Sequence, residues 1–228
     1  MHTTKFDVIV VGGGAAGMMA AGRAGERGKS VLLIEKNKNL GEKLKITGGG
    51  RCNITNAEFD AQTLLLNYGQ AAPFLFSPFS QFGVKETFPF FESRGLPLIV
   101  QAGKRAFPNT EKASDVLRVM EQYIKKNGVI VKTGTPVSRI LSNGNQITGV
   151  LAGGIEYASY AVILSSGGMS HPETGSTGDG FKWLRDLGHT VRKPTPGIVP
   201  LAAKEEWIKN LAGVTLSPVK ITFFLNGT

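Results

Sequence analysis

The sequence predicts an α/β fold: a Rossmann-like dinucleotide-binding domain whose parallel sheet is joined by an antiparallel three-stranded β-meander. Three observations carry that expectation. Phe6-Asp7-Val8-Ile9-Val10-Val11 is a short, β-branched apolar run leading straight into Gly12-x-Gly14-x-x-Gly17. A second apolar run, Ser30 to Ile34, ends on Glu35, 18 residues beyond Gly17. Past Gly128 helical spacing gives way to strand-like runs separated by Asn-Gly and Gly-Gly turns.

The first strand, turn and helix define a nucleotide site. Gly12 permits the tight turn, Gly14 lets a pyrophosphate approach the backbone, and Gly17 lets helix and strand lie close. The helix is predicted from Ala15 to Arg27, with Gly28 at its end and a small-residue face of Ala15, Ala16, Ala20, Ala21 and Ala24. Its N-terminus, at Ala15 and Ala16, offers N–H groups and a partial positive charge to phosphate. Glu35 is placed to accept both hydroxyls of an adenosine ribose, which disfavours a 2′-phosphate and favours FAD or NAD. Lys36 follows in a polar loop.

Composition narrows the classes. The 228 residues are 41% hydrophobic and 19% charged, as expected of a globular chain of one or two domains. No apolar run approaches the ~18–20 residues that cross a bilayer, and the N-terminal apolar stretch breaks into three glycines, so a cytoplasmic protein is expected. The single Cys52 excludes an internal disulfide and a CxxC pair. The three histidines have no ligand spacing, so no metal site is expected. The formal charge of +9 is spread along the chain, without a run of basic residues, and a nucleic-acid partner is not expected.

The least generic stretch is Gly41-Glu-Lys43-Leu-Lys-Ile-Thr-Gly48-Gly49-Gly50-Arg51-Cys52-Asn53-Ile-Thr-Asn56. Three consecutive glycines cost conformational entropy and suit backbone passing close to something flat or charged. Arg51 is a forked donor for phosphate or an acidic substrate. This stretch resembles the signature of the BaiN-like, aminoacetone-oxidase-type family of FAD-binding flavoproteins, whose FAD domain is similar to that of the glutathione-reductase and fumarate-reductase enzymes. The resemblance implies that the loop runs from the FAD pyrophosphate toward the flavin ring, with Lys43, Gly49, Gly50 and Arg51 as cofactor neighbours. It also implies that Cys52 and Asn53 approach the redox centre.

Asn56 to Gly95 reads as helical pieces broken at Pro73, Pro78 and Pro89, crowded with phenylalanines that serve either as core or as cofactor cover. Leu96 to Val100 is a predicted strand. Gly103-Lys-Arg105-Ala-Phe-Pro108 resembles a family element that turns Arg105 toward substrate; a solvated arginine is the other reading. A helix is expected from Lys112 to Lys126, stopped by Asn127-Gly128.

Strands are then expected at 129–133, 136–141, 146–151 and 155–158, the last three forming the meander. A meander in place of a crossover helix marks, by resemblance, the FAD proteins with two dinucleotide folds, in which Val137 would place a backbone amide on the adenine. Tyr160 to Gly168 returns to the parallel sheet and resembles the element that closes the FAD domain, bringing Gly167 to the cofactor. Thr177-Gly-Asp179-Gly opens a helix to Leu187. Thr177 and Asp179 suit helix capping, and Asp179 suits the flavin side of the site as well. His171 is the histidine best placed for proton transfer; a surface-loop histidine is the other reading.

Pro194, Pro196 and Pro200 mark a boundary. The expected division is a cofactor domain over 1–193 and the start of a β-rich insertion domain over 194–228. Trp207–Leu211 and the runs 214–216 and 219–225 begin that domain, and Asn226-Gly227 forms its turn. The resemblance covers the whole chain but about the first half of a family member, so the C-terminal part of the FAD domain is expected in further sequence, as a separate chain or not at all. The expected function is FAD-dependent hydride transfer, from NAD(P)H or a small organic substrate. No catalytic acid or base is assigned; Arg51, Cys52 and His171 are the candidates. The other readings are a plain NAD dehydrogenase, a flavin-binding RNA-modifying or RNA-binding protein, and an inactive fragment. Against the NAD dehydrogenase stand the meander and the lack of a Tyr-x-x-x-Lys pair.

Overall fold

Both faces of one sheet are covered, which is why its strands read as continuous apolar runs rather than alternating ones. The structure is a computed structural model describing residues 5–197, 204–214 and 222. In chain order the elements begin β1 (Phe6–Val11), α1 (Ala15–Glu26), β2 (Val31–Ile34), α2 (Glu42–Gly50) and β3 (Thr55–Asn56). Next come α3 (Ala61–Leu66), α4 (Ala72–Gln81), α5 (Val84–Glu92), β4 (Leu98–Gln101), β5 (Arg105–Pro108) and α6 (Ala113–Lys126). Last are β6 (Ile130–Lys132), β7 (Val137–Asn143), β8 (Gln146–Ala152), β9 (Ile155–Leu164) and α7 (Asp179–Asp186).

The six-stranded sheet has the order β6-β2-β1-β9-β8-β7. Pairs β6–β2, β2–β1 and β1–β9 are parallel, whereas β9–β8 and β8–β7 are antiparallel. The sequence divides residues 155–164 into two strands, but they form one. Ile155–Ala158 pair with β8 and the same strand continues from Ser159 alongside β1. No turn residue interrupts Ala158-Ser159-Tyr160, so the strand leaves the meander and enters the parallel sheet without a break.

Side chains alternate across β1 and β2. Val10, Val31 and Leu33 pack with Met18, Ala21, Val116, Val119 and Met120 under α1 and α6. Ile9, Val11, Leu32 and Ile34 pack on the other face with Ile140, Val150 and Trp183 of the meander and α7. The contact of α1 differs from the expected alanine stripe: Gly17, Met18, Ala21 and Gly22 are buried, whereas Ala15 and Ala16 are exposed. Those two alanines sit in the first turn, above the sheet edge.

A small antiparallel sheet, β3-β5-β4, stands apart. Its central strand β5 falls in the Arg105–Pro108 stretch, which the sequence reads only as a motif. Proline does not prevent the pairing because Pro108 lies at the end of the ladder, opposite Leu98.

The expected helix breaks at proline do not occur. Pro73 lies in the first turn of α4, while Pro78 and Pro89 lie inside α4 and α5. The break comes at Phe82 and Gly83, where the chain is extended and the Gly83 N–H donates to Glu86 Oε2 at 2.8 Å. The phenylalanines divide: Phe90 and Phe91 are core, whereas Phe74 and Phe76 are exposed.

The chain separates into two compact units, Met1–Val191 and Arg192–Thr228. Within the second, Glu206–Leu211 is a 3-10 helix. The expected strands at 214–216 and 219–225 lie outside the described residues apart from Val214 and Thr222, and the Asn226-Gly227 turn lies wholly outside them.

Candidate cofactor-binding site

The end of β1, the turn and the start of α1 form one wall of a cavity of about 530 Å³, inside the ~300–1,000 Å³ range of small-molecule sites. The three glycines have different local reasons. Gly12 has a φ of +106°, and a Cβ there would sit 2.4 Å from Ser165 O. A Cβ on Gly17 would sit 1.8 Å from Gly12 O, so helix and turn meet only without one. A Cβ on Gly14 would meet no protein atom within 4 Å, because that direction points into the cavity. No side chain caps α1, so N–H groups of its first turn remain available to a ligand. Gly12, Gly14, Ala15 and Ala16 line the cavity; Gly17 lies behind it.

Glu35 lines the same cavity at the end of β2, and only 8% of it is exposed. Its carboxylate already accepts two backbone donors, Gly13 N–H at Oε2 (2.6 Å) and Asn37 N–H at Oε1 (2.8 Å). Each oxygen keeps accepting capacity for a further donor. The acid thus ties the glycine turn to the segment after β2 while facing the cavity.

That segment carries two lysines. Lys36 Nζ donates to Thr177 Oγ1 at 2.6 Å and to Asp179 Oδ2 at 2.8 Å. Lys43 Nζ donates to two neutral acceptors, Ser170 O at 2.7 Å and Ser176 Oγ at 2.6 Å, and its charge helps hold the nearby Glu173 carboxyl low. The Lys36 ammonium holds the Asp179 carboxyl below its usual range. The N-cap of α7 is Gly178, without a side-chain cap bond; Thr177 instead donates to Asp179 Oδ2.

The glycine-rich loop is helical only at its start. Thr47 breaks the helix, and Gly48, Gly49, Gly50 and Cys52 all have positive φ. This winding presents Thr47, Cys52 and Asn53 to the cavity and turns Gly49, Gly50 and Arg51 away from it. Arg51 instead bonds Glu111 Oε1 (3.1 Å) and Gln101 Oε1 (3.2 Å) and stacks on Phe107, 4.4 Å from the ring centroid. Cys52 is buried, and burial pushes its thiol pKa up, away from a reactive thiolate. Asn53, with its amide oriented to donate, reaches Thr55 O (3.1 Å) and Ala106 O (3.3 Å).

Val137 and Gly167 both line the cavity. His171 does not: it is exposed, in a left-handed conformation, with Nδ1 2.8 Å from Glu173 Oε1. Arg105 is exposed and donates to Ala102 O at 2.9 Å. Residues that sequence reasoning did not single out complete the wall. Among them are Asn37, Thr135 and Thr174–Ser176, with Met19, Val116 and Met120 giving it an apolar side. Ser176 carries no motif signal; its role comes from contacts with residues more than a hundred positions away. Among the described residues there is no cluster of three metal-ligating side chains, and no helix is long and apolar enough to cross a membrane.

This donor set fits a dinucleotide: a backbone cradle without a Cβ at Gly14, an uncapped helix N-terminus, an ammonium bonded to neutral acceptors and a carboxylate with spare acceptor capacity. Residues 6–214 match the HI0933-like protein Rossmann domain. The chain belongs to that family. The domain is an FAD-binding Rossmann fold, and FAD is its cofactor.

Among characterised relatives of this HI0933-like chain is the 3-dehydro-bile acid delta(4,6)-reductase of Clostridium scindens, 32% identical over 207 residues, which cover 90% of this chain and 49% of that protein. The ribosomal RNA dihydrouridine synthase of Escherichia coli is 27% identical over 218 residues, 94% of this chain and 53% of that one. The chain therefore spans about half the length of these relatives. In fold it is similar to the 3-ketosteroid delta1-dehydrogenase of Sterolibacterium denitrificans, with a TM-score of 0.60 at 18% identity over 81% of this chain and 55% of that one.

Proposed function

We propose that this chain is the cofactor-holding part of an FAD-dependent reductase acting on a carbon–carbon double bond conjugated to a carbonyl. The observation that carries the proposal is the meeting of Gly14, the uncapped start of α1 and Glu35 on one cavity wall. The first turn of α1 would take the pyrophosphate, Glu35 the adenosine ribose, and Val137 the adenine edge. Thr47, Cys52 and Asn53 would flank the path toward the flavin. FAD, when bound, would supply the hydride-transfer chemistry between a nicotinamide nucleotide and an electrophilic carbon. The chain's own part is to bind and orient.

The names of the two relatives support the substrate class: a 3-oxo compound with delta(4,6) unsaturation and a uracil ring each hold a double bond conjugated to a carbonyl. The deciding experiment purifies the chain with FAD and measures flavin absorbance, then NADH- or NADPH-dependent reduction of an unsaturated ketone. A colourless protein that takes up no flavin overturns the assignment.

A second reading, reduction of uridine in RNA, is favoured by the Escherichia coli relative and by the +9 charge. Against it, the basic residues are spread along the chain without a run of five or six. Salt-dependent binding of a uridine-containing RNA supports this reading; no binding at low salt removes it.

A further inference from the structure

Two walls of the cavity, distant in sequence, are tied together by three side chains from one short segment. Besides the Lys36 and Lys43 contacts, Asn37 Nδ2 donates to Thr174 O at 3.0 Å. Every acceptor lies between Ser170 and Asp179, 127 to 143 residues away from its donor. Local chain geometry therefore does not bring them together.

The acceptor segment is closed on itself. Thr174 N–H donates to His171 O, Gly175 N–H to Pro172 O and Thr177 N–H to Gly175 O. His171, Gly175 and Gly178 are all left-handed, at φ of 52°, 98° and 82°. It forms a compact strap with turn hydrogen bonds of its own. Thr174, Gly175, Ser176 and Asp179 of the strap line the cavity, as do Lys36, Asn37 and Lys43 opposite. On the donor side, buried Glu35 ties the segment to the glycine turn through the N–H groups of Gly13 and Asn37.

We infer that Lys36, Asn37 and Lys43 are positioning residues that latch the Ser170–Asp179 strap, and that this latch controls how fast FAD enters and leaves the cavity. The inference rests on the FAD reading above. A ligand held between two walls leaves only when they part. A latch between the walls therefore slows entry and release together, whereas a residue that merely touches the cofactor alters release and leaves entry nearly unchanged.

The test is stopped-flow quenching of FAD fluorescence on wild type, Lys36→Gln and Asp179→Asn, with release followed by dilution or competition. The latch predicts that both variants bind and release FAD about three- to tenfold faster, the range for loss of a partly exposed charged hydrogen bond. The exchanged pair, Lys36→Asp with Asp179→Lys, brings both rates back toward wild type. Faster release at an unchanged entry rate makes Lys36 a cofactor contact and overturns the latch, as do unchanged rates. Should Lys36→Gln not fold by circular dichroism, Asn37→Ala, which removes only the Thr174 contact, carries the same expectations. A wild-type chain that takes up no flavin removes the FAD reading and the latch with it; flavin uptake with unaltered variant rates removes the latch alone.

Discussion

The Gly13 N–H donates to Glu35 Oε2 at 2.6 Å, so the acid at the end of β2 organises the glycine turn at the end of β1. Removing the carboxylate orphans the N–H groups of Gly13 and Asn37 and takes away the proposed ribose acceptor. Glu35→Ala is expected to cost about 2–3 kcal/mol in urea unfolding, the range for a buried charged hydrogen bond, and to weaken FAD binding further. An apo stability equal to wild type would mean that the carboxylate acts on the ligand alone.

Gly14 and Gly17 separate binding from folding. Gly14→Ala points a methyl into open cavity and is expected to change apo stability by less than about 1 kcal/mol, as for a changed N-cap, while lowering FAD affinity at least tenfold. Gly17→Ala drives a methyl into Gly12 O and is expected to destabilise the fold itself by about 3 kcal/mol. Thermal unfolding with and without FAD distinguishes the two.

Cys52 is expected to behave as packing. Burial pushes its thiol pKa above the ordinary value. Its stability contribution is therefore present below the unfolded pKa and is lost as pH rises through the raised native one. Native protein should react with iodoacetamide far more slowly than unfolded protein, and Cys52→Ser should keep its flavin. A colourless Cys52→Ser protein, or rapid native alkylation, contradicts this.

Asp179 gives the strap an acid response. Its carboxyl is held low first by the Lys36 hydrogen bond, with further help from Thr177 and the charge of Lys182. The stabilisation is present above the unfolded carboxyl's pKa and disappears as pH falls through the lowered native value. FAD release should accelerate across that acidic window in wild type and stay flatter in Asp179→Asn. Parallel pH profiles would place the sensitivity elsewhere.

Arg51 tests the glycine-rich loop. It faces Glu111, Gln101 and Phe107 rather than the cavity. Arg51→Lys, which loses the fork and the stacking surface, is therefore expected to weaken FAD binding only about two- to fivefold, as for an exposed ion pair. Loss of a hundredfold or more by equilibrium titration would indicate direct contact.

Much of this was written locally. Strand β1, the three glycines, α1, α6 and the hairpin turns depend on neighbours a few residues apart, and a backbone that needs a left-handed turn or a buried face declares it in composition. Glu35 was legible because the strand, turn and helix lengths before it are nearly invariant in a βαβ unit. Sequence by itself thus determined the fold class and marked the glycine turn and Glu35, which share one cavity wall. Only the tertiary structure decided that β9 joins the parallel and antiparallel parts of one sheet, that Arg51 and His171 lie outside the cavity wall, and that Lys36 and Lys43 reach a strap more than 120 residues away. Those outcomes depend on which side chains meet after the sheet has closed and the helices have packed, and spacing along the chain carries no record of such encounters.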